Sequence, residues 1–147
     1  MDIEFKPVTA DNFQECIALR VKNEQMGFIA SNLYSIAEAY VETFAIPLCV
    51  YADEQMVGLI LYGPENFRDG MRMWIDRFMI DGRYQGKGYG KAALAKLIET
   101  IREKFDYKEV YLSYEPENAA AEKLYGSFGF IKTGEIVDGE CLAVLSL

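Results

Sequence analysis

Residues 81–91 of this chain read Asp-Gly-Arg-Tyr-Gln-Gly-Lys-Gly-Tyr-Gly-Lys, and they decide how the rest is organised. An apolar run from Met73 to Ile80 precedes them, and a helical pattern over residues 89–104 follows. Glycine lacks a Cβ and tolerates positive φ, so three alternating glycines let the backbone curl closely around a ligand. The unpaired N–H groups of a helix N-terminus favour an anion. The stretch therefore predicts a strand, a pyrophosphate-binding turn and a helix.

Spacing excludes the two most familiar phosphate motifs. The loop of nucleoside triphosphatases requires G-x-x-x-x-G-K-[ST], but Gly82 and Gly86 are one residue too close and Lys87 precedes a glycine. The dinucleotide fingerprint G-x-G-x-x-G opens a βαβ unit, whereas these glycines alternate and lie past the middle of the chain. An ordinary glycine-rich turn without a ligand remains the alternative to a pyrophosphate site.

Length and composition indicate one globular unit. A chain of 147 residues, 51% of them apolar, is expected to form a single domain over residues 1–147 rather than a disordered segment. No apolar run reaches the roughly 20 residues of a membrane span, and the N-terminus lacks the pattern of a signal peptide. Three widely spaced cysteines, Cys16, Cys49 and Cys141, are typical of free thiols. We therefore expect a cytoplasmic protein that does not bind a membrane.

The chain contains no histidine, and this absence excludes several chemistries. Ser-His-Asp and Cys-His catalysis and zinc hydrolysis through histidine all require an imidazole. Without histidine or a C-x-x-C pair, no metal site is expected. The net charge of −8 argues against binding to a nucleic acid backbone and is compatible with a small cationic substrate.

Hydrophobic periodicity predicts eleven elements in the order βααβββαβαββ. The expected strands cover residues 3–8, 48–51, 56–62, 72–80, 110–114, 130–137 and 140–145, and the expected helices start near Thr9 or Asp11, at Ser35, at Tyr89 and at Asn118. In this interpretation Ser35 caps the second helix, and residues 64–70 form a polar loop. The strand over residues 72–80 is expected to be buried on both faces, and Asp138-Gly139 predicts a hairpin.

A second signature lies about 30 residues after the glycines. Residues 118–130 read Asn-Ala-Ala-Ala-Glu-Lys-Leu-Tyr-Gly-Ser-Phe-Gly-Phe. Together with Gln85-x-x-Gly88-x-Gly90, this segment resembles the Gcn5-related N-acetyltransferases, the GNAT family, and the element order is similar along the whole chain. The resemblance implies an α/β (α+β) fold whose central sheet is mixed, mostly antiparallel, has about seven strands and is flanked by about four helices. It also implies acetyl-CoA as the cofactor and no metal.

The resemblance implies a set of cofactor-binding residues. The end of the central strand is expected to contact the pantetheine arm, and the glycine turn is expected to receive the pyrophosphate. With Asn118 as a further pantetheine contact, the set is Phe78, Met79, Ile80, Gln85, Gly86, Lys87, Gly88, Tyr89, Gly90, Lys91 and Asn118. For Lys87 and Lys91 the alternative is that both are solvated lysines at the start of a helix.

Two residues are predicted to be catalytic. Coenzyme A must leave as a thiolate, and the resemblance places the phenol of Tyr125 near its sulfur as a general acid. Asp76 lies in an otherwise apolar strand and is expected to accept the proton of an amine through water. A core aromatic is the alternative for Tyr125. For Asp76 it is an ion pair with Arg72 or Arg77, although strand alternation would send Asp76 and Arg77 to opposite faces.

Residues 74–88 and 24–32 look like the corresponding stretches of bacterial spermine/spermidine acetyltransferases. A polyamine requires spaced carboxylates and aromatic walls, so the expected substrate contacts are Glu24, Phe28, Glu38, Glu42, Trp74 and Asp76. Each glutamate has the alternative of being a solvated helix residue. The predicted reaction is acetyl transfer to such a cation in a ternary complex, and the alternatives are another amine or a non-catalytic acyl-CoA-binding module. A homodimer is a further expectation.

Overall fold

The computed structural model describes all residues, 1–147, and confirms the predicted order of elements. The strands are β1 (Ile3–Pro7), β2 (Ile46–Ala52), β3 (Gln55–Phe67), β4 (Gly70–Ile80), β5 (Glu109–Tyr114), β6 (Ile131–Val137) and β7 (Glu140–Ser146). The helices are α1 (Phe13–Ala18), α2 (Asn32–Val41), α3 (Tyr89–Lys104) and α4 (Ala119–Ser127), with short 3-10 turns at Asn23–Gln25 and Gly82–Tyr84. None of these helices is long and apolar enough to cross a membrane.

The seven strands form one sheet in the order β1-β2-β3-β4-β5-β7-β6. All neighbours are antiparallel except β4 and β5, so the expected mixed, mostly antiparallel sheet is confirmed. The parallel contact is short, because only Met73 pairs with Val110 and Trp74 with Tyr111. Beyond those pairs β4 and β5 diverge and leave a cleft in the middle of the sheet.

The main core lies between the sheet and the helices α3 and α4. The apolar face of α3 is buried there, with Leu94, Leu97 and Ile101 fully covered. Truncation of one such leucine to alanine costs about 2–5 kcal/mol. A smaller core around Cys16 and Cys49 lies on the other face, between the sheet and the helices α1 and α2. The two faces of the sheet are therefore both covered, and the cleft connects them.

Two local expectations were wrong. Helix α2 begins at Asn32, because the hydroxyl of Ser31 accepts the Tyr34 N–H at 3.1 Å. Ser35 lies inside the helix, where its hydroxyl donates to the carbonyl of Ser31 at 3.0 Å.

The expected polar loop over residues 64–70 is mostly strand, since β3 continues to Phe67 and pairs with β4 along its length. Cross-strand pairing in this long hairpin outweighs the low strand propensity of its polar residues.

A β-bulge interrupts β4 at Asp76. In the register with β3, Leu61 pairs with Arg77 and Tyr62 pairs with Ile75, so Asp76 is the extra residue on its strand. A bulge leaves one residue unpaired and redirects the side chains around it. The predicted catalytic carboxylate thus occupies an irregularity of the strand beside the cleft.

The bulge also changes which side chains share a face. Ile75 packs in the main core before the bulge and Phe78 packs against it after the bulge, so the alternation slips by one residue. Asp76 and Arg77 therefore lie on the same face, and the expectation that alternation separates them was wrong. The expectation that the central strand is buried on both faces holds for residues 73–75 and 79–80. Asp76, Arg77 and Phe78, which lie between them, are only half-buried.

Candidate active site

A cavity of about 880 Å³ occupies the cleft where β4 and β5 diverge. Its walls come from the segment between α1 and α2, the strand β4, the turn before α3, the start of α4 and the β6–β7 hairpin. The predicted site residues that line it are Phe28, Trp74, Asp76, Phe78, Met79, Ile80, Gln85, Gly86, Gly88, Gly90, Lys91, Asn118 and Tyr125. The predicted residues outside the lining are Glu24, Glu38, Glu42, Lys87 and Tyr89. The structure thus brings both predicted catalytic residues to one cavity.

The glycine loop, residues 85–90, enters α3 through left-handed backbone. Gly86 has φ of 77° and Gly88 has φ of 88°, values that side chains with a Cβ rarely adopt. Gly88 is the N-cap of α3, and no side chain caps the N–H groups of the first turn. Those N–H groups and the positive end of a 16-residue helix suit an anion at this edge of the cavity.

Asp81 anchors the start of this turn. It is only 3% exposed, and its carboxylate accepts the backbone N–H of Arg20 at 3.0 Å and of Arg83 at 2.9 Å. Burial would raise the pKa of Asp81, but the hydrogen bonds and ion pair with Arg83 and the Arg20 N–H lower it. The sequence analysis assigned no role to Asp81. Its place directly after a buried strand was the feature that could have indicated one.

A reciprocal pair of amides joins the glycine loop to the segment between α1 and α2. Gln85 donates to Gln25 Oε1 at 2.9 Å, and Gln25 donates back to Gln85 Oε1 at 3.1 Å. Gln85 also donates to the carbonyl of Ile80 at 2.9 Å. The predicted cofactor-binding turn is thus tied to the segment that carries Phe28 on the opposite wall of the cavity. Gln25 was not among the predicted site residues.

Tyr125 lies on α4 and is only 9% exposed. Its ring packs at 5.8 Å from the rings of both Tyr114 and Phe130, and its hydroxyl has no hydrogen-bond partner in the protein. Burial and then the charge of Glu140 raise the pKa of Tyr125 above its ordinary value. The phenol therefore stays protonated at neutral pH and retains a proton to donate. Asn118 caps α4 by accepting the Ala121 N–H at 3.1 Å.

Asp76 forms an acidic pair with Glu65. Its Oδ2 atom is buried without a hydrogen-bond partner. Burial and then the neighbouring charge of Glu65 raise the pKa of Asp76 to about 8. Burial also raises the pKa of Glu65. Glu65 was missed because it fell in the expected polar loop, and only the register of β3 against β4 brings it to Asp76.

The alternative ion pairs for Asp76 were wrong. Arg77 donates to Glu38 Oε1 at 3.0 Å, and the Arg72 guanidinium lies 3.7 Å from Asp69. Arg77 donates to the backbone carbonyl of Asp76 rather than to its carboxylate. The acidic pair of Glu65 and Asp76 thus faces the cavity without a cation of the protein bound directly to it.

The three predicted glutamates lie outside the lining of the cavity. Glu38 is engaged with Arg77, and Glu42 is exposed at the end of α2. Glu24 is exposed beside a separate depression that also contains Arg20 and Lys22. These positions favour the alternative of structural or solvated residues over direct substrate contacts.

Aromatic side chains form one wall of the cavity near the acidic pair. The Trp74 ring lies 5.1 Å from that of Phe67 and 5.5 Å from that of Tyr111. Trp74 is only 8% exposed, and its Nε1 has no hydrogen-bond partner. Such a wall suits methylene groups and the faces of cations.

Comparison with known proteins identifies the family. Residues 13–130 match the model of the acetyltransferase (GNAT) family. The chain belongs to this family. The resemblance to this family, which was read from residues 85–90 and 118–130, is therefore confirmed.

The chain is also similar to individual members of the family. It is 38% identical over its full length to the spermine/spermidine N(1)-acetyltransferase of Bacillus subtilis strain 168, and covers 100% of that protein. The PaiA N-acetyltransferase of Thermoplasma acidophilum, in complex with coenzyme A, has a TM-score of 0.72 at 16% identity with 100% of both chains covered. The spermidine N-acetyltransferase of Vibrio cholerae, in complex with coenzyme A and spermine, has a TM-score of 0.74 at 15% identity, covering 98% of this chain and 95% of that one. These two structures share the fold.

Proposed function

We propose that this protein transfers the acetyl group of acetyl-CoA to a primary amine of a polyamine such as spermidine or spermine. The observation that carries the proposal is the acidic pair of Glu65 and Asp76, which faces the cavity beside the wall of Trp74. Full-length identity of 38% to a spermine/spermidine acetyltransferase supports the same substrate class. A buried carboxyl with a raised pKa gains most from a cationic ligand, because the cation favours its ionised form.

The cofactor would enter along the cleft between β4 and β5. The pyrophosphate of acetyl-CoA fits the N–H groups of the glycine loop, and the residues 78–80 of β4 offer backbone groups to the pantetheine arm. Lys91 lines the same part of the cavity and adds positive charge there. In this arrangement the thioester would lie near Tyr125, with its other side open to the amine.

The reaction is direct attack of the amine on the thioester. The amine nitrogen forms a bond to the acetyl carbon, the C–S bond breaks, and Tyr125 donates its proton to the leaving thiolate. The ammonium must first lose a proton, which costs about 4–5 kcal/mol for a pKa near 10.4 at neutral pH. Asp76 accepts that proton through water once the bound cation has stabilised its carboxylate. As the amide forms, the nitrogen releases its second proton to solvent. Tyr125 then regains a proton from solvent, and Asp76 releases its proton to solvent before the next turnover.

Thiol release from acetyl-CoA tests the proposal with a panel of amines. Spermidine and spermine should give the highest kcat/KM, above lysine, a peptide N-terminus and an aminoglycoside. A clear preference for one of the other amines would reject the polyamine assignment while retaining the reaction. No thiol release with any amine would favour an acyl-CoA-binding module.

The proposal includes a cytoplasmic enzyme that acts on small molecules rather than on nucleic acids. Its three cysteines are free, as in proteins of reducing compartments, and its net charge is −8. A homodimer is compatible with the exposed apolar residues Leu33, Tyr40 and Val41 on α2. Light scattering at micromolar concentration would determine the oligomeric state.

A further inference from the structure

Besides the acidic pair, the cavity is lined by Glu115, Asp138 and Glu140, and of these three only Glu140 is held by a hydrogen bond to its carboxylate. Glu140 starts β7, and Ser113 on β5 donates its hydroxyl to Glu140 Oε1 at 2.7 Å. The register of β5 with β7 fixes this contact, because Ser113 pairs with Leu142 and Tyr114 with Cys141. Glu140 therefore has a defined position at the end of the paired strands.

The two carboxylate sites have separate surroundings. Asp76 interacts with Glu65, Arg77 and Glu38, which belong to β3, β4 and α2. Glu140 lies close enough to Tyr125 for its charge to raise the pKa of that phenol. No lysine or arginine forms an ion pair with Glu140. The protein thus holds negative charge on both sides of the cleft, and Glu140 has no cation of its own.

Two other polar groups of the cavity wall indicate that a ligand completes the site. Tyr125 is nine-tenths buried and lines the cavity, yet its hydroxyl has no partner in the protein. Trp74 is buried to a similar extent, and its Nε1 is also unpaired. Buried polar groups are normally hydrogen-bonded, so the buried Trp74 Nε1 is suited to a bound molecule, and the accessible Tyr125 hydroxyl is also free to bond one.

We propose that Glu140, held in place by Ser113, binds a second ammonium group of the acceptor, which lies across the cleft with another ammonium at the acidic pair. This proposal rests on the proposed polyamine acetylation. Polyamines carry several ammonium groups separated by short methylene chains, so one molecule reaches two carboxylate sites while a monoamine reaches one. The Ser113 hydroxyl occupies one oxygen of Glu140 and leaves Oε2 for the cation. Glu140 is therefore a specificity residue for acceptors with more than one positive charge.

The test compares spermidine with n-butylamine, which has a terminal amine and no second charge. Rates of thiol release are measured at saturating acetyl-CoA and subsaturating amine, where the slope gives kcat/KM. The variants are Glu140→Gln and Ser113→Ala. Glu117→Gln is the matched control, because Glu117 is exposed outside the cavity lining and its replacement changes the net charge equally.

For Glu140→Gln we expect kcat/KM for spermidine to fall about 10- to 100-fold, mainly through KM, because a charge-paired contact is lost. The ratio of kcat/KM for spermidine to that for butylamine should fall by about the same factor, because any effect of Glu140 on the pKa of Tyr125 acts on both amines alike. Ser113→Ala should lower kcat/KM for spermidine about threefold, because one modest hydrogen bond to Glu140 is lost. Glu117→Gln should leave both amines unchanged.

Other results overturn the proposal. An equal fall in kcat/KM for both amines would show that Glu140 acts on the reacting amine or on Tyr125. Unchanged kcat/KM for both amines would show that Glu140 binds no ammonium. If Glu140→Gln melts at lower temperature or has a higher KM for acetyl-CoA, Ser113→Ala provides the test instead. The quantity compared is then its ratio of kcat/KM for spermidine to kcat/KM for butylamine. Wild-type protein that does not acetylate spermidine rejects the proposed function together with this site, whereas active wild-type protein with an unaltered Glu140→Gln preference rejects the site alone.

Discussion

Replacement of Glu65 by glutamine should move the acid limb of the pH–rate profile to lower pH. In the wild-type protein, burial and then the charge of Glu65 raise the pKa of Asp76 to about 8. If Asp76 accepts the proton of the amine, kcat/KM falls as the pH drops below that pKa. Glutamine keeps the size of the side chain and removes the negative charge. The Asp76 carboxylate then ionises more easily, so activity extends to lower pH.

An order of magnitude for the shift follows from Coulomb's law for two neighbouring carboxylates. Two charges about 4 Å apart interact by about 4 kcal/mol at an effective dielectric constant near 20, equivalent to about 3 pKa units. Because Glu65 is half-exposed, solvent screening reduces this value. We therefore expect the limb to move down by about 1–2 units, and the burial of Asp76 still holds its pKa above the usual range.

The assay is thiol release with subsaturating spermidine and saturating acetyl-CoA between pH 5.5 and pH 9.5, a range chosen to bracket the expected limbs at about 8 and about 6–7. Glu99→Gln is the control, because Glu99 is exposed on α3 away from the cavity and carries the same charge. Its limb should coincide with that of the wild type. A limb near pH 8 that does not move in Glu65→Gln, with the protein folded, would refute the role of the acidic pair. Weaker spermidine binding lowers the plateau without moving the limb, so the two effects are separable.

Three further results are expected. Gly88→Val should raise the KM for acetyl-CoA more than tenfold, because φ of 88° strains a β-branched residue by about 1–3 kcal/mol and a strained loop would displace the N–H groups proposed to bind the pyrophosphate. Unchanged KM in steady-state kinetics would reject the glycine loop as the pyrophosphate site. Tyr125→Phe should lower kcat about 10²- to 10⁴-fold at unchanged KM for acetyl-CoA, and full turnover would remove its role as the acid. Asp76→Asn should flatten the dependence of stability on pH, measured by thermal unfolding. In the wild type, folded Asp76 keeps a proton that the unfolded chain releases near pH 3.9, so stability falls as the pH rises toward about 8. An equally steep fall of stability in the variant would contradict this assignment.

Features carried by contiguous residues were readable from the sequence. Helix α3 was placed over residues 89–104, because its apolar stripe and the glycines before it are local patterns. Helix α4 was predicted to start at Asn118, and the structure confirms this start, because the Asn118 side chain caps the helix. The same local stretches identified the family, since a strand, a glycine turn and a helix are specified by neighbours in the chain.

Tertiary structure decided the composition of the acceptor site. Glu65 reaches Asp76 only because β3 continues past the expected loop and a bulge places Asp76 beside the cleft. Ser113 reaches Glu140 only through the pairing of β5 with β7. These contacts depend on strand register, and one residue of slippage sends a side chain to the other face of the sheet. The sequence by itself therefore determined the glycine loop and the fold, whereas long-range strand pairing decided which carboxylates line the cavity together.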